Sequence, residues 1–282
     1  MLHRPDPDEI AATNPAAIAY AERVEALGRS APPPTLHLAY GSDRGQRLNV
    51  YAPPGARDLP ILLFFHGGAW VSGHLGWLSF MAPIVNALPA IFVAGTYRLA
   101  PRCRWPAAYE DVREALKFVR HNAGGFGGDP ARIAIGGHSA GGHLASLLAL
   151  KDQSADILAC LPVSSSFDLQ YGDVPLESDA GRVYRYLFSD RSQDAEASPL
   201  RFARPDAPPF HITWGERDFD RVGRSSAAMV EQLQHLGATV SHQIVAEASH
   251  FDTHTALSDP DAAWYGALQT ALASPASVGR HP

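Results

Sequence analysis

Short apolar segments alternate along the chain with longer segments of helical periodicity. The apolar segments are LHLAY, LNVY, ILLFF, IFVAG, RIAIGG, ILACLPV, FHITW and VSHQIV. Each has the length and the β-branched or aromatic content of a strand. Because strands and helices alternate from residue 61 onward, we predict about eight strands in a mostly parallel sheet with helices on both faces. The first two strands lie close together and can form an antiparallel hairpin through GSDRGQ.

Two of the intervening segments carry a clear helical stripe. AAYEDVREALKFVRHN places Val112, Leu116 and Val119 on one face, and RVGRSSAAMVEQLQHLG does the same with its valine, methionine and leucine positions. Gly237 supplies the stop signal of the second helix.

Two regions interrupt the alternation. Residues 1–35 carry a helix that ends at Gly28, followed by the stiff connector APPP. Residues 168–207 separate two strands by far more than the usual few residues, and loops of this length are commonly functional. We predict one domain over residues 1–282, with residues 168–207 forming a small cap; we call these residues the cap segment.

Composition restricts the classes of partner. The 282 residues are 46% hydrophobic, which is enough for one large core. The formal net charge is −6 and the charges are interspersed, so we expect neither a nucleic acid nor a membrane as partner. The only two cysteines, Cys103 and Cys160, are too few for a disulfide framework. The N-terminal sequence lacks the pattern of a secretory signal, and no window is apolar enough to span a bilayer, so we predict a cytoplasmic protein.

The segment IAIGGHSAGGHLASLLAL contains a candidate nucleophile. It leads from a strand into a helix through the pattern G-x-S-x-G, in which Ser139 is the serine. A serine on such a sharp turn takes a strained conformation that lifts its oxygen above the sheet, and small neighbours prevent collisions there. The helix that follows directs its N-terminus at the site, so the N–H of Ala140 can bind a developing oxyanion.

A second signal lies upstream in LLFFHGGAW, where a strand ends in His66 and two glycines. Loops of this HGG type supply the other oxyanion-hole amides in serine hydrolases that have a G-x-S-x-G turn. Glycine lets the backbone approach a substrate closely. Gly67 and Gly68 are therefore the expected donors.

The nucleophile needs an acid and a base, in the chain order serine, acid, histidine. Asp218 follows the strand FHITW by a few residues, at the edge where open α/β sheets place their sites; Asp220 is its rival and Glu216 a weaker third candidate. His250 is the expected base because it follows a strand and precedes Phe251, which can hold the ring in place. His242 falls inside that strand, and His254 begins the next helical region.

These motifs resemble the α/β-hydrolase superfamily, near the hormone-sensitive-lipase-like esterases and the kynurenine formamidases (arylformamidases). HGGAW and TYRLAPRCRWPAAYEDVREAL are similar to the esterase branch, while GHSAGGHLA, ASPL and SHFDTHTALSDP are more similar to the formamidase branch. The chain departs from both at Ala69, and it has His138 where esterases commonly have an aspartate. The resemblance implies the α/β-hydrolase fold, Ser139, Asp218 and His250 as a catalytic triad, and Gly67, Gly68 and Ala140 as oxyanion donors.

The resulting hypothesis is a serine hydrolase that cleaves carboxylic esters or arylformamides of small aromatic or short-acyl substrates through an acyl-enzyme. The expected substrate-binding residues are apolar or aromatic side chains near the loop mouths: Trp70, Phe167, Tyr171, Phe219 and Phe251. Neither a cofactor nor a metal is expected, since no H-E-x-x-H pattern and no Cys/His cluster is present. A homodimer is possible. The alternatives are a non-catalytic protein that binds a hydrophobic ligand, and a lyase or acyltransferase on the same fold.

Overall fold

The structure is a computed structural model that describes residues 14–152, 156–178 and 180–274. Its strands form one eight-stranded sheet in the order β1-β2-β4-β3-β5-β6-β7-β8. The strands are β1 (Leu36–Ala39), β2 (Arg47–Tyr51), β3 (Leu59–Phe65), β4 (Ile91–Gly95), β5 (Gly128–His138), β6 (Cys160–Val163), β7 (Phe210–Arg217) and β8 (Val240–Ser249). The predicted number of strands is confirmed, as is the α/β-hydrolase fold.

Strand direction separates the first two strands from the others. β1 and β2 pair antiparallel with Leu36 opposite Val50, which confirms the hairpin, and β2 pairs antiparallel with β4. The pairs from β4 through β3, β5, β6 and β7 to β8 are all parallel. The carboxyl ends of β3 to β8 therefore lie along one edge of the sheet, where open α/β sheets bind their ligands.

Helices cover both faces of this sheet. They are α1 (Pro15–Arg29), α2 (Ala82–Ala87), α3 (Ala107–Asn122), α4 (Ala140–Lys151), α5 (Gln193–Glu196), α6 (Asp220–His235), α7 (Asp252–Thr255) and α8 (Ala263–Ala273). Successive residues of β3 point to opposite faces: Ile61 and Leu63 join a core cluster with α3, α4 and α6, and Leu62 and Phe64 join a second cluster with α1, α2 and α8. Two apolar cores thus hold the sheet between two helical layers.

The N-terminal helix packs onto the second of these cores. Asn14 caps α1 by accepting the N–H of Ala16, and Tyr20 and Val24 bury their side chains. The helix ends at Arg29, one residue beyond the predicted end at Gly28. The first thirteen residues of the predicted N-terminal segment lie outside the described residues.

The cap segment is mostly irregular, and Asp179 within it is outside the described residues. Its regular parts are a π-helical turn at Val183–Leu187, the short helix α5 and a 3-10 turn at Pro199–Phe202. The carbonyl oxygens of Leu187 and Phe188 accept hydrogen bonds from Trp105 and Arg104 in the loop before α3. These bonds fix the cap segment beside the carboxyl edge of the sheet. Among the described residues, no helix combines the length and the apolar character needed to cross a bilayer.

Candidate active site

Ser139 stands at the sharp turn between β5 and α4. Its backbone has φ 53° and ψ −117°, a conformation that L-residues rarely adopt. The turn requires glycine around it: a β-carbon at Gly141 would lie 2.2 Å from the carbonyl oxygen of Phe65, and one at Gly142 would lie 2.5 Å from that of Gly137. The sequence G-x-S-x-G-G thus permits a strained turn that holds the Ser139 hydroxyl, half-buried, at the carboxyl edge of the sheet.

The structure brings together the three residues expected to act with one another. His250 Nε2 lies 2.9 Å from Ser139 Oγ, and His250 Nδ1 lies 2.8 Å from Asp218 Oδ1. The side chain of Asp218 is 1% exposed and that of His250 is 7% exposed. The two distances fit one hydrogen-bonded line from the carboxylate through the imidazole to the hydroxyl.

Asp218 is held as a carboxylate by its neighbours. Burial acts to raise the pKa of Asp218, but hydrogen bonding to His250, the charge of His250 and the hydroxyl of Ser164 together hold that pKa below its usual value. Ser164 Oγ donates to Asp218 Oδ2 at 2.5 Å, and the N–H of Phe219 donates to Oδ1 at 2.8 Å. A carboxylate that accepts several hydrogen bonds stays ionised.

The rival residues lie away from Ser139. Asp220 is exposed at the start of α6, and Glu216 is exposed and accepts the N–H of Glu247. His242 is exposed on β8, where its ring stacks on Trp214 at a centroid distance of 5.5 Å. His254 lies in α7 as expected, but it is fully buried beneath the site.

The loop after β3 differs in detail from the expected oxyanion loop. Gly68, Ala69 and Ala140 line the cavity above Ser139, whereas Gly67 does not. A β-carbon at Gly67 would lie 2.8 Å from His138 Nδ1 and 3.2 Å from Ser139 Cβ, so this glycine is packed beneath the serine turn. Ala69 takes its place on the cavity wall, with φ 51°. The sequence signal for Ala69 is its position directly after the two glycines.

The N–H groups of this wall are free to bind a substrate. Within the described residues, no backbone carbonyl accepts the N–H of Gly68, Ala69 or Ala140. Ala140 is the first residue of α4, whose N-terminal N–H groups have no partner inside the helix. These three amides are therefore available to an oxygen atom bound next to Ser139.

The cavity at Ser139 has a volume of about 240 Å³. Of the five residues expected to bind substrate, Trp70, Tyr171, Phe219 and Phe251 line it. The others on its wall are Asn14, Ala17, Tyr20, Ala21, Gly68, Ala69, Val71, Ser72, Trp77, His138, Ser139, Ala140, Ser166, Arg182, Val183, Tyr186, Arg221, Val222 and His250. Residues of α1 and of the cap segment thus form part of the wall.

Phe167, the fifth expected substrate-binding residue, does not line the cavity. Its side chain is 0% exposed and belongs to the core cluster of α3, α4 and α6. Phe167 follows β6 closely, and its N–H donates to Ser225 Oγ on α6, which fixes its backbone against that helix. Phe219 and Phe251 do flank the histidine, with ring centroids 4.5 and 5.3 Å from that of His250.

A buried network beneath His250 has no counterpart in the sequence predictions. His138 Nε2 lies 3.0 Å from the carbonyl oxygen of His250. The Tyr20 hydroxyl lies 3.2 Å from His138 Nδ1 and 2.8 Å from His254 Nδ1. The network connects α1 to the backbone of His250. Its sequence signal was His138 itself, the residue directly before Ser139.

Burial keeps the histidines of this network neutral. It holds the pKa of His138 well below the usual value, aided by the nearby His254 and His250, and it lowers the pKa of His254 to about 3, aided by His66. A neutral imidazole has one N–H and one unprotonated nitrogen, so each histidine can donate one hydrogen bond and accept one.

One tautomer assignment satisfies every polar hydrogen of the network. His138 donates from Nε2 to the His250 carbonyl, Tyr20 donates to His138 Nδ1, and His254 donates from Nδ1 to Tyr20. His254 Nε2 is then a bare nitrogen, consistent with its lack of a hydrogen-bond partner among the described residues. Within the part of the chain that the structure describes, no group of three or more His, Cys, Asp or Glu side chains is arranged to hold a metal ion.

The chain is similar in sequence to proteins named as esterases. It is 32% identical over 238 residues to the protein named esterase LipQ of Mycobacterium tuberculosis, covering 77% of this chain and 56% of that protein. It is 43% identical over 107 residues to the protein named carboxylesterase NlhH of the same organism, covering 36% of this chain and 33% of that protein. The chain thus spans about half the length or less of these relatives.

Among solved structures, an esterase of Pyrobaculum calidifontis superposes with a TM-score of 0.77 at 22% identity, covering 92% of this chain and 91% of that one. At this identity the superposition shows the fold alone. The family model described as alpha/beta hydrolase fold matches residues 62–252, more than half of the chain, from the middle of β3 to the residue two positions after His250. The match spans Ser139, Asp218 and His250, and the chain belongs to this α/β-hydrolase family.

Proposed function

We propose that the protein is a serine carboxylesterase with Ser139 as nucleophile, His250 as general base and Asp218 as the residue that orients the base. The observation that carries the proposal is the continuous hydrogen-bonded line of these three side chains at a strained turn, opening into an aromatic cavity. The esterase names of the two curated relatives agree with it.

In the first half of the reaction, Ser139 Oγ attacks the carbonyl carbon of the ester while its proton passes to His250 Nε2. Asp218 accepts the Nδ1–H of His250, which fixes the tautomer that leaves Nε2 free to take the proton, and it stabilises the imidazolium that forms. The oxyanion of the tetrahedral intermediate is bound by the N–H groups of Gly68, Ala69 and Ala140.

Collapse of that intermediate expels the alcohol, which takes the proton from His250. Water then attacks the acyl-enzyme with His250 again as base, and the carboxylic acid and free Ser139 are released. The two steps consume only the ester and water, and the three side chains return to their starting state.

The proposed substrates are small esters with a short acyl group or an aromatic leaving group. The cavity, at about 240 Å³, lies just below the range of roughly 300–1,000 Å³ that holds drug-sized ligands. Its wall includes the rings of Trp70, Phe219 and Phe251. An arylformamide has the same features, since a formyl group is the smallest acyl group and its leaving group is an aromatic amine. It is therefore the second proposed substrate class.

A hydrolysis panel tests this proposal. Wild-type protein and Ser139→Ala are assayed on p-nitrophenyl acetate, butyrate and decanoate and on N-formylkynurenine. We expect kcat/KM to fall by at least tenfold from butyrate to decanoate, because a chain that does not fit loses more than the one to three kcal/mol of a single methylene. Ser139→Ala should lose about three orders of magnitude or more on every substrate.

The panel also separates the alternatives. Product analysis with added alcohol acceptors distinguishes hydrolysis from acyl transfer. Efficiency on decanoate equal to that on butyrate would refute the narrow cavity and favour an open groove. Full activity in Ser139→Ala would refute the serine mechanism.

A further inference from the structure

The part of the cavity wall that the described residues form carries positive charge without negative charge. Two arginines, Arg182 and Arg221, line it, and among the described residues no aspartate or glutamate does. Both arginines are half-buried. The whole chain has a formal net charge of −6, so this balance is a local feature of the site and does not follow from the composition.

Arg221 lies in the first turn of α6, beside the aromatic side chain that covers the catalytic histidine. Its guanidinium carbon is 4.9 Å from the ring centroid of Phe219, and that ring centroid is 4.5 Å from that of His250. Stacking on a ring restricts the guanidinium and leaves its N–H groups exposed at the edge. The N–H groups of Arg221 are therefore separated from His250 by the ring of Phe219 alone.

Arg182 approaches the same cavity from the cap segment. Its guanidinium carbon lies 5.9 Å from the ring centroid of Tyr186, which is also part of the wall. Tyr171, also on the wall, lies beside Arg221: burial raises the pKa of Tyr171, and the charge of Arg221 acts in the opposite direction. The hydroxyl of Tyr171 is thus neutral and accepts a hydrogen bond from Arg221.

Arg182 and Arg221 differ from other described arginines in their partners. Among the described residues, no carboxylate lies within salt-bridge distance of Arg182 or Arg221, although other arginines such as Arg98 are paired in this way, here with Asp111. Half-burying an unpaired cation is unfavourable unless an anion joins it. Bidentate binding of a carboxylate by a guanidinium is short, strong and directional.

We propose that the substrate carries a carboxylate, remote from its ester bond, which binds to Arg221 and Arg182 while the ester lies at Ser139. This inference rests on the proposed esterase function and narrows it to carboxylate-bearing esters. The carboxylate contributes binding energy away from the reacting carbonyl, and so positions a small ester in a cavity whose other contacts are mostly apolar.

Matched substrate pairs test the proposal by kinetics. One pair places the charge on the leaving group, 4-acetoxybenzoate against methyl 4-acetoxybenzoate. The other places it on the acyl group, the mono-4-nitrophenyl ester of glutaric acid against 4-nitrophenyl butyrate. We expect wild type to prefer the anionic member of at least one pair, and the ratio of the two kcat/KM values to fall about tenfold to hundredfold in Arg221→Gln or Arg182→Gln. Arg221→Lys should retain part of the preference.

Arg224→Gln is the matched control, because Arg224 is exposed on the same helix and is not part of the cavity wall. Its substrate ratio should equal that of wild type. A wild-type preference that persists in both cavity arginine variants, or no preference in either pair while both esters are hydrolysed, would overturn the proposal and leave the esterase function standing.

A binding measurement decides the proposal without turnover. Phenylacetate and its neutral isostere phenylacetamide are titrated by calorimetry into wild type, Arg221→Gln and Arg224→Gln. Tighter binding of phenylacetate by about tenfold in wild type and Arg224→Gln, lost in Arg221→Gln, supports the carboxylate site even if no ester is hydrolysed. Equal affinity of wild type for the two ligands contradicts it.

Discussion

Replacing Tyr20 with phenylalanine removes one hydroxyl from the network that connects α1 to the backbone of His250. The hydroxyl donates to His138 Nδ1 and accepts from His254 Nδ1, and all three side chains are at most 6% exposed. The aromatic contacts of the ring remain, including the stacking on Phe251 at a centroid distance of 4.9 Å. The variant therefore isolates the hydrogen bonds from the packing.

The expected loss of stability follows from the two nitrogens that lose their partner. An unsatisfied buried donor or acceptor costs about 1–3 kcal/mol, so two of them give a loss of about 2–6 kcal/mol in the free energy of unfolding. With about 2.1 cal/mol/K of unfolding entropy per residue, that loss lowers the Tm of this 282-residue chain by about 3–10 °C. Because His138 donates to the His250 carbonyl, we also expect kcat to fall with little change in KM.

Tyr265→Phe is the matched control. Its hydroxyl, also buried, makes a single hydrogen bond to the carbonyl oxygen of Leu257, away from the site. We expect a loss of about 1 kcal/mol and no change in kcat. Urea unfolding midpoints and steady-state kinetics on p-nitrophenyl acetate measure both effects. Equal midpoints and equal kcat for Tyr20→Phe and Tyr265→Phe would refute the network.

The other expectations concern the acid, the serine turn and pH. Asp218→Asn should lower kcat by about 10³- to 10⁴-fold through the wrong imidazole tautomer, whereas Asp220→Asn should act mildly; the reverse ranking would move the acid to Asp220. Gly141→Ala should lower the free energy of unfolding by about 3 kcal/mol or more, because its β-carbon would lie 2.2 Å from a backbone carbonyl oxygen of β3. Gly125→Ala is the control: its β-carbon would have no atom within 4 Å, so its urea unfolding midpoint should equal that of wild type. The free energy of unfolding should fall as pH drops below about 6.5. The pKa of His254 is about 3 in the folded protein and near 6.5 in the unfolded chain, so between these values only the unfolded chain takes up the proton. This group then lowers the free energy of unfolding by about 1.4 kcal/mol per pH unit. An unfolding midpoint that is flat from pH 7 to pH 5 would contradict the buried neutral histidine.

The sheet was predictable because its signals are local. Every predicted strand segment became a strand, since each is a short apolar run bounded by turn residues. The stop at Gly237 was also correct, with α6 ending at His235 and Gly237 at φ 74°. The serine turn was recognisable for the same reason, because the serine and the small residues that the turn requires lie within five consecutive positions.

The remaining features depend on contacts between distant parts of the chain. The sequence does not show whether Gly67 or Ala69 directs its N–H at the cavity, because that direction is set by how the loop packs on the serine turn. Phe167 is aromatic and follows a strand, as a cavity residue would, but its side chain packs into the core. Tyr20 and Arg182 reach the site only through the docking of α1 and the cap segment, which no local pattern reveals.

Covalent labelling tests the central claim most directly. A p-nitrophenyl alkylphosphonate carries a phosphorus atom that Ser139 Oγ can attack with loss of p-nitrophenolate, leaving a stable adduct that resembles the tetrahedral intermediate. Peptide mass spectrometry should place one phosphonyl group per chain on Ser139, with labelling absent from Ser139→Ala and slowed by at least about 10³-fold in His250→Ala. Labelling of another residue, or ester hydrolysis that continues while Ser139 stays unmodified, would contradict the account.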